Sequence, residues 1–442
     1  MTFESASAYL LGTINETLSR RVPNRLDRMR VLLHELGDPH ERYPTIQIGG
    51  TSGKGSTSTM IATVLAAAGT RTGLHTKPHL ASMTERARID GTAIGANEFG
   101  DLLGEMMPAI EKTSFAYGRP SYYETLLALA LEYFARESVA AAVVEVGLGG
   151  TLDGTNVLAP CVNAITNVGF DHTDVLGETI AAIANDKAGI AKPGVPLVTD
   201  ARNPEALAVI KRRCEEAGAP LISVQDYATI EPGAGERYGQ SFDVTTPQAH
   251  YKLALPILGD FQQRNAATAI AVLEHLPPAL RPPHEAIEAG FAQLAIPGRM
   301  EYFPGFPDVV FDIAHNPDKA AHLARALLHA FPGRRFTFVV GITESKDAQE
   351  VLRPLFALPA SFIFTQFETA GRRATRPQRL VNIAEHAGIW ARSIGDPVEA
   401  LSIARRSTDA NGVVVVTGST FVVAVVRQWW IKNVVDALNK AR

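Results

Sequence analysis

One glycine-rich segment has the residue types and the spacing of a phosphate-binding loop. It reads GGTSGKGST from Gly49 to Thr57, and it lies between the apolar run Thr45 to Ile48 and a helical pattern that begins at Ser56. In this setting the backbone N–H groups of the loop and of the helix N-terminus can point at phosphate oxygens. The residues expected to bind a nucleotide here are Thr51, Ser52, Gly53, Lys54, Gly55 and Ser56.

Two side chains of this loop carry distinct chemistry. The ammonium of Lys54 is a point charge suited to the β- and γ-phosphates, and the hydroxyl of Ser56 can ligate magnesium. The loop is a variant of GxxxxGK[ST], because Ile48 stands where the first glycine would be and Gly55 separates Lys54 from Ser56. The alternative is a flexible turn that only caps a helix.

Glu145 is the carboxylate best placed to join this loop. It ends an apolar run that begins at Val139, and a glycine-rich turn follows it. An α/β fold binds its ligands at the carboxyl ends of its strands. Because magnesium prefers oxygen ligands and keeps several waters, Glu145, Ser56 and phosphate oxygens together predict a magnesium site. The alternative is a carboxylate that only accepts hydrogen bonds from the amides of the turn.

Four further residues could do chemistry, although the residues alone leave their roles open. His172 lies between two aspartates, and a histidine there is more often a hydrogen-bonded loop residue than a ligand. Lys187 could act in the site, and it could equally be a solvated lysine on a helix. Arg299 follows a Pro-Gly pair and could clamp phosphates, or it could be a surface arginine. Asp312, at a strand end, can accept hydrogen bonds from ribose hydroxyls.

These residues need a scaffold, and the sequence predicts one of the α/β class. Short β-branched runs alternate with longer helical patterns, which indicates a parallel sheet. With 442 residues, the chain exceeds the ~250 to 300 residues beyond which one core stops growing. The alternation is interrupted by a Pro-rich segment and by the turn Pro297-Gly298, and then starts again. We therefore predict domains at 1–297 and 298–442, the second smaller and doubly wound.

The composition narrows the classes of partner. Lys plus Arg number 42 against 46 Asp plus Glu, and the net charge of -4 disfavours a nucleic-acid partner. The two cysteines, Cys161 and Cys214, are too few for a disulfide framework or a thiolate zinc site and fit a reducing cytosol. The N-terminus lacks the basic region of a secretory signal, and no apolar run approaches the ~18 residues of a membrane helix without breaks. We expect a soluble, cytoplasmic protein without a membrane partner.

A strand that ends in GTxGKGS resembles the variant phosphate loop of the Mur ligase superfamily, and especially that of the folylpolyglutamate synthase and dihydrofolate synthase branch. Further segments resemble that branch in order along nearly the whole chain. They are TKPHL (76–80) with ER (85–86), EVGLGG (145–150) with LD (152–153), DHT (171–173) with LG (176–177), KAGI (187–190), LG (258–259), QQ (262–263), NAA (265–267), PGR (297–299), Asp312 with AHNP (314–317), and GS (418–419).

The resemblance implies a fold and a reaction. The fold is a P-loop-containing Mur-ligase-type central domain with a parallel sheet, followed by a smaller Rossmann-like α/β domain that binds the amino acid. The γ-phosphate of ATP would pass to a substrate carboxylate, and the amine of L-glutamate would attack the acyl phosphate. The resemblance also implies two Mg²⁺ ions and a carbamylated Lys187. The metal ligands would be Ser56, Glu145 and His172, and the catalytic residues Lys54, Lys187, His172 and Arg299.

The resemblance also assigns residues to the two substrates. Asn265, Arg299, Asp312 and His315 would complete the nucleotide site. The positions that match the family's folate or dihydropteroate pocket are Ser121, Tyr122, Tyr123, Glu124, Leu152 and Asp153, with helix packing as the alternative for the tyrosines. Both acceptors use the same motifs, so folate, dihydropteroate or both stay open. The expected partners are these small molecules and glutamate. We expect the protein to be a monomer.

Five positions depart from the family pattern. Lys77 stands where the family has a Ser that binds magnesium, and an ammonium cannot ligate a cation. Either that metal site is rearranged or Lys77 supplies charge to the phosphates. Thr151 replaces an Arg, Ser52 an Asn, Asp186 a Glu and Ile313 a Gly.

Three alternatives stay open. The first is a ligase of the same superfamily that acts on another carboxylate. The second is a P-loop NTPase switch without ligase activity, although a switch would not need nucleotide-binding motifs such as Asp312 to His315 in a second domain. The third, which only Lys77 raises, is a binding protein that has lost catalysis.

Overall fold

Two α/β units make up the chain in the computed structural model, which describes residues 1–14, 25–236, 239–369 and 372–435. The N-terminal unit comprises Met1–Ala234, Ser241–Leu255 and Phe261–Leu294, and the C-terminal unit comprises Gly235–Gln240, Pro256–Asp260 and Ala295–Arg442. The family resemblance predicted two α/β domains, and the fold class is confirmed. The division of function between 1–297 and 298–442 stays a prediction.

The N-terminal unit is built around an eight-stranded sheet. Its strands are β1 (Thr45–Gly49), β2 (Thr72–His75), β3 (Arg88–Ile89), β4 (Thr92–Ala93), β5 (Ala141–Glu145), β6 (Val162–Ile165), β7 (Leu197–Thr199) and β8 (Leu221–Ser223). They follow the order β4-β3-β2-β5-β1-β6-β7-β8. The neighbouring strands in the part β2-β5-β1-β6-β7-β8 are all parallel. The central strands β1 and β5 are buried at every position, as in a sheet covered on both faces.

The helices of this unit pack against the sheet and against one another. They are α1 (Phe3–Leu11), α2 (Arg25–Glu35), α3 (Lys54–Ala67), α4 (Ala96–Tyr117), α5 (Tyr122–Arg136), α6 (Thr173–Leu176), α7 (Ile180–Lys187), α8 (Pro204–Ala217), α9 (Val224–Tyr227), α10 (Phe261–Glu274) and α11 (His284–Ala292). Helix α3, which follows the predicted phosphate loop, packs against α10 and α11. Between α9 and α10 the chain forms a separate three-stranded sheet. Its strands are β9 (Thr229–Glu236), β10 (Gly239–Thr245) and β11 (His250–Leu255).

The C-terminal unit contains a six-stranded sheet with the order β12-β13-β19-β14-β15-β18 and a small hairpin, β16-β17. The strands are β12 (Glu301–Phe303), β13 (Asp308–Phe311), β14 (Phe336–Val340), β15 (Ala360–Phe364), β16 (Glu368–Thr369), β17 (Arg372–Arg373), β18 (Ala391–Ser393) and β19 (Val413–Thr417). The helices are α12 (Pro317–Ala330), α13 (Ala348–Phe356), α14 (Pro377–His386), α15 (Pro397–Ser407) and α16 (Thr420–Trp430). Among the described residues, no helix is both long and apolar enough to cross a membrane.

Candidate active site

The predicted phosphate loop is the connection between β1 and α3. Gly53 is the N-cap of α3 and has a φ of 82°, a left-handed conformation that favours glycine. A Cβ atom at Gly53 would also overlap the Oδ1 atom of Asn265, so this side chain from α10 lies directly against the start of α3. The helix begins at Lys54, and the first N–H groups of a helix have no acceptor inside it. The structure therefore brings Asn265 to a loop with helix amides available for an anion.

The ammonium of Lys54 lies over its own loop. Its Nζ atom donates to the carbonyl oxygens of Gly50 at 2.9 Å and Thr51 at 3.4 Å. Ser56, in the first turn of α3, has 6% of its surface exposed. Lysine and serine thus occupy the two positions from which a phosphate and its metal would be contacted.

Two residues that no sequence motif indicated fix the shape of the loop. The Oδ1 atom of Asn167 accepts hydrogen bonds from the amides of Ser52 at 2.7 Å and Thr51 at 3.2 Å. The hydroxyl of Thr166 donates to the carbonyl of Ser52 at 2.6 Å. Both follow β6, the sheet neighbour of β1, so two polar residues directly after a buried strand were the available signal.

Glu145 reaches the loop from the end of β5. Its Oε2 atom accepts a hydrogen bond from the backbone amide of Lys77 at 2.9 Å, and a Cβ atom at Gly55 would lie 3.3 Å from the same oxygen. The carboxylate is therefore next to the first turn of α3, where Ser56 lies. One carboxylate and one hydroxyl, with phosphate oxygens and waters, form a donor set that fits Mg²⁺. Among the described residues, no group of three or more His, Cys, Asp or Glu side chains could hold a metal alone.

Lys187 is the last residue of α7 and has only 3% of its surface exposed. Its Nζ atom donates to the carbonyl of Gly50 at 3.1 Å, so a second lysine meets the phosphate loop. Burial lowers the pKa of Lys187 to about 8, while the charge of Asp171 raises it and that of Lys77 lowers it. A buried amine with this pKa is partly neutral near physiological pH, which is the form that reacts as a nucleophile.

His172 lies on the loop after β6, at the N-cap of α6, with a φ of 50°. Half of its side chain is exposed, and its Nε2 atom is 3.7 Å from the Oδ1 atom of Asp171. The histidine is thus on the loop-bearing edge of the sheet. Its role as a ligand for a second metal stays a prediction.

The residues predicted to bind the folate or dihydropteroate lie in the N-terminal unit, where Tyr123 is hydrogen-bonded to Asp153 and Ser121 to Glu124. The hydroxyl of Tyr123 donates to Asp153 at 3.2 Å, and Asp153 also accepts from the amides of Leu148 and Thr155. Leu152 is half-buried on the same turn. The guanidinium of Arg86, which the sequence analysis did not propose as a site residue, lies 5.5 Å from the centroid of the Tyr122 ring. Tyr122 and Arg86 therefore offer a flat aromatic ring and a charge.

Ser121 and Glu124 have a local structural role. Ser121 is the N-cap of α5, and the two side chains form a reciprocal capping box. Glu124 is fully buried, and Arg28 donates to both of its carboxylate oxygens at 2.8 to 3.1 Å. Ser121, Glu124 and Arg28 therefore already supply one another's hydrogen-bond partners. The structure supports a role of Ser121 and Glu124 in capping α5, and of Glu124 in a buried ion pair. Contact of either side chain with a substrate stays a prediction.

In the C-terminal unit, Asp312 lies immediately after β13. Its carboxylate accepts from the amides of Ala314 at 2.8 Å and Met300 at 2.9 Å. Burial raises its pKa, and the positive charge of Arg299 opposes that shift. Arg299 and Asp312 are thus close enough to influence each other.

His315 is a neutral histidine in the same unit. Its Nδ1 atom is 2.8 Å from the carbonyl of Ile313, and its Nε2 atom is 3.2 Å from the ammonium of Lys319. Burial, with the nearby charge of Lys319, lowers its pKa to about 3. The contacts assign the proton to Nδ1 and an acceptor role to Nε2. Lys319 and Lys346, whose charges both act on His315, were not among the predicted site residues.

The comparisons with known proteins agree with this architecture. The Mur ligase middle domain matches residues 48–273, and the Mur ligase glutamate ligase domain matches residues 298–420. The two units and the variant phosphate loop define an ATP-dependent, amide-forming ligase of the Mur ligase type.

Relatives of the whole chain narrow this class. The dihydrofolate synthase/folylpolyglutamate synthase of Bacillus subtilis is 32% identical over 91% of this chain and 94% of that protein. A probable bifunctional folylpolyglutamate synthase/dihydropteroate synthase of Haloferax volcanii is 36% identical, and the chain spans 49% of its length. The structure of Mycobacterium tuberculosis folylpolyglutamate synthase complexed with ADP has 30% identity and a TM-score of 0.87, covering 97% of this chain and 98% of that one. The chain belongs to the folylpolyglutamate synthase and dihydrofolate synthase family, which confirms the predicted resemblance.

Proposed function

We propose that this chain uses ATP to join L-glutamate to the carboxylate of dihydropteroate, of a reduced folate, or of both. The observation that carries the proposal is the meeting of Lys54, Lys187 and Glu145 at one loop between β1 and α3. The Bacillus relative is named for both reactions, and the Mycobacterium relative was solved with ADP, which supports ATP as the phosphoryl donor here.

The residues of the loop would act on the γ-phosphate. The acceptor carboxylate attacks phosphorus, ADP leaves, and the amine of glutamate then displaces inorganic phosphate from the acyl carbon. Lys54 and the amides of α3 offset the negative charge that develops on the phosphoryl oxygens. We assign Arg299, Asp312 and His315 of the C-terminal unit, with Asn265, to the nucleotide on the strength of the family resemblance.

Magnesium and a modified lysine complete the proposal. Ser56 and Glu145 would hold a Mg²⁺ ion, and His172 is the ligand that the family resemblance assigns to a second ion. Magnesium supplies positive charge against the phosphate oxygens. Lys187 would carry a carbamate, because its amine is buried, has a lowered pKa and keeps one N–H for Gly50 after modification.

We infer a monomeric enzyme. Sedimentation of the purified protein, with and without ATP, tests this inference. A dimer at concentrations at which the enzyme is active would overturn it.

Product analysis tests the reaction. The purified protein is incubated with ATP, Mg²⁺, glutamate and either dihydropteroate or tetrahydrofolate, and the acceptor is examined by mass spectrometry. We expect an acceptor heavier by one glutamyl residue, formed at the same rate as inorganic phosphate. Glutamate-stimulated phosphate release with neither acceptor modified would point to another carboxylate, which the departures at Lys77 and Thr151 permit. Phosphate release that ignores every amino acid would instead support an NTPase.

A further inference from the structure

Lys77 lies where three parallel strands end together. It follows β2, which pairs with β5, and β5 pairs with β1, so the ends of these strands bring Lys77, Glu145 and the phosphate loop to one edge of the sheet. The backbone of Lys77 is held there by its hydrogen bond to the Oε2 atom of Glu145, 2.9 Å away. A lysine is therefore fixed beside Glu145, a buried carboxylate next to the first turn of α3.

The side chain of Lys77 differs from those of the other two lysines at this edge. Lys54 and Lys187 both donate to the carbonyl of Gly50, whereas the ammonium of Lys77, a half-buried residue, makes no hydrogen bond or ion pair with the residues that the structure describes. Its charge nevertheless reaches the site, since it lowers the pKa values of Lys187 and His75, for both of which burial is the largest cause. The ammonium has the capacity for three further hydrogen bonds.

The chemistry of an ammonium decides what it can bind. A lysine has no lone pair while it is protonated, so it cannot ligate Mg²⁺, and it repels a divalent ion placed against it. It is, however, a good partner for phosphate oxygens, which it contacts as a point charge. A cation at this place and a second metal ion would therefore serve the same purpose, neutralisation of the terminal phosphate, and would compete for it.

We propose that the ammonium of Lys77 binds the terminal phosphoryl group of the nucleotide and takes the place of the second Mg²⁺ ion. The proposal rests on the proposed function, because it assumes that ATP occupies this loop. Ser56 and Glu145 are left to hold a single Mg²⁺ ion. During transfer the bond from phosphorus to the leaving oxygen of ADP breaks, a bond to the acceptor carboxylate forms, and Lys77 keeps its proton throughout. The enzyme would thus need one divalent ion rather than the two that the family resemblance implies, and His172 would have no second ion to bind.

Counting bound metal tests the proposal without relying on turnover. Manganese, which is visible by electron paramagnetic resonance, is titrated into the protein together with an ATP analogue that has a methylene group between the β- and γ-phosphates. We expect one tightly bound Mn²⁺ per nucleotide in the unmodified protein and two in Lys77→Ser, whose hydroxyl can ligate a metal. Two ions in the unmodified protein would overturn the proposal.

Nucleotide binding without metal supplies a second, independent measurement. In the presence of a chelator, Lys77→Met should bind the ATP analogue about 10-fold to 100-fold more weakly than the unmodified protein, because a contact to a charged phosphate has been removed. The matched control is Lys211→Met, which removes the same charge from an exposed position on α8. Equal affinity of Lys77→Met and the control would contradict the proposal.

Two checks separate this inference from its assumptions. Thermal unfolding of each variant shows whether it is folded. If Lys77→Met does not fold, Lys77→Arg provides a variant that keeps the positive charge. The product assay decides the proposed function separately. A protein that forms glutamyl product normally but binds two Mn²⁺ ions would refute only the role of Lys77.

Discussion

The ammonium of Lys187 donates a hydrogen bond to the carbonyl of Gly50, 3.1 Å away and 137 residues earlier in the chain. This contact joins the end of α7 to the phosphate loop at the end of β1. Lys187 is therefore placed to respond to the nucleotide, and the state of its amine becomes part of the chemistry of the site.

The pKa of Lys187 predicts how carbamate formation depends on pH. Because burial lowers this pKa to about 8, the fraction of neutral amine increases from about pH 7 to about pH 9, whereas an ordinary lysine stays protonated. At constant CO₂ pressure, we expect carbamate on Lys187 to increase over this range. Carbon-13 NMR with labelled bicarbonate measures it.

A lysine nearby in the sequence provides the control. Lys192 also has a pKa lowered by burial, but it binds Asn156 rather than the phosphate loop. The carbamate signal should persist in Lys192→Arg and vanish in Lys187→Arg. A signal that survives in Lys187→Arg would assign the carbamate elsewhere.

Gly53→Ala should weaken nucleotide binding and lower stability. An alanine at a φ of 82° costs about 1 to 2 kcal/mol, and its Cβ atom would additionally displace Asn265. Gly69→Ala is the matched control, because Gly69 has a φ of 80° but no atom lies near its Cβ position. Calorimetric titration with ADP should therefore separate the two variants. Equal ADP affinity would contradict the assigned contact between Asn265 and the loop.

Glu145→Gln should impair magnesium binding while preserving the fold. The amide oxygen of glutamine can still accept the hydrogen bond from Lys77, but the negative charge is lost. We expect the Mg²⁺ concentration for half-maximal activity to rise about 10-fold to 100-fold. Glu132→Gln is the control, because Glu132 is also buried but pairs with Arg136 on α5. An unchanged Mg²⁺ requirement in Glu145→Gln would remove Glu145 from the metal site.

Glu124→Gln tests whether this carboxylate is structural. Removing one charge of its buried pair with Arg28 should lower the free energy of unfolding by about 3 to 5 kcal/mol, with little effect on the KM for the acceptor. Glu105→Gln, from an exposed pair with Arg136, should cost no more than about 1 kcal/mol. Urea unfolding measures both. A stable Glu124→Gln protein with a raised KM would mean that Glu124 contacts the substrate.

Much of the fold and part of the candidate site could be predicted from the sequence. The buried strands that became β1, β5 and β19 are short, β-branched runs, and the loop at Gly53 and Lys54 combines glycines with a lysine at one strand end. These are local patterns, because the residues that define them are neighbours in the chain.

The remaining features depend on contacts between distant segments. Asn167 lies 115 residues from the Ser52 amide that it accepts from, and its asparagine type alone does not specify that partner. Glu124 was predicted to bind substrate, yet its environment depends on Arg28, 96 residues earlier. Only the order of the strands and the packing of the helices bring such residues together. Similar reasoning applies to Lys77, whose neighbour Glu145 belongs to the adjacent strand.

The most direct test of the central claim follows one oxygen atom. The acceptor is prepared with ¹⁸O in its carboxylate, and the inorganic phosphate released during ligation is analysed by mass spectrometry. If the carboxylate is phosphorylated before glutamate attacks, each phosphate released with an amide product carries one ¹⁸O from the acceptor. Phosphate without label, or phosphate released without an amide product, would contradict the assignment of this chain as a ligase that acts through an acyl phosphate.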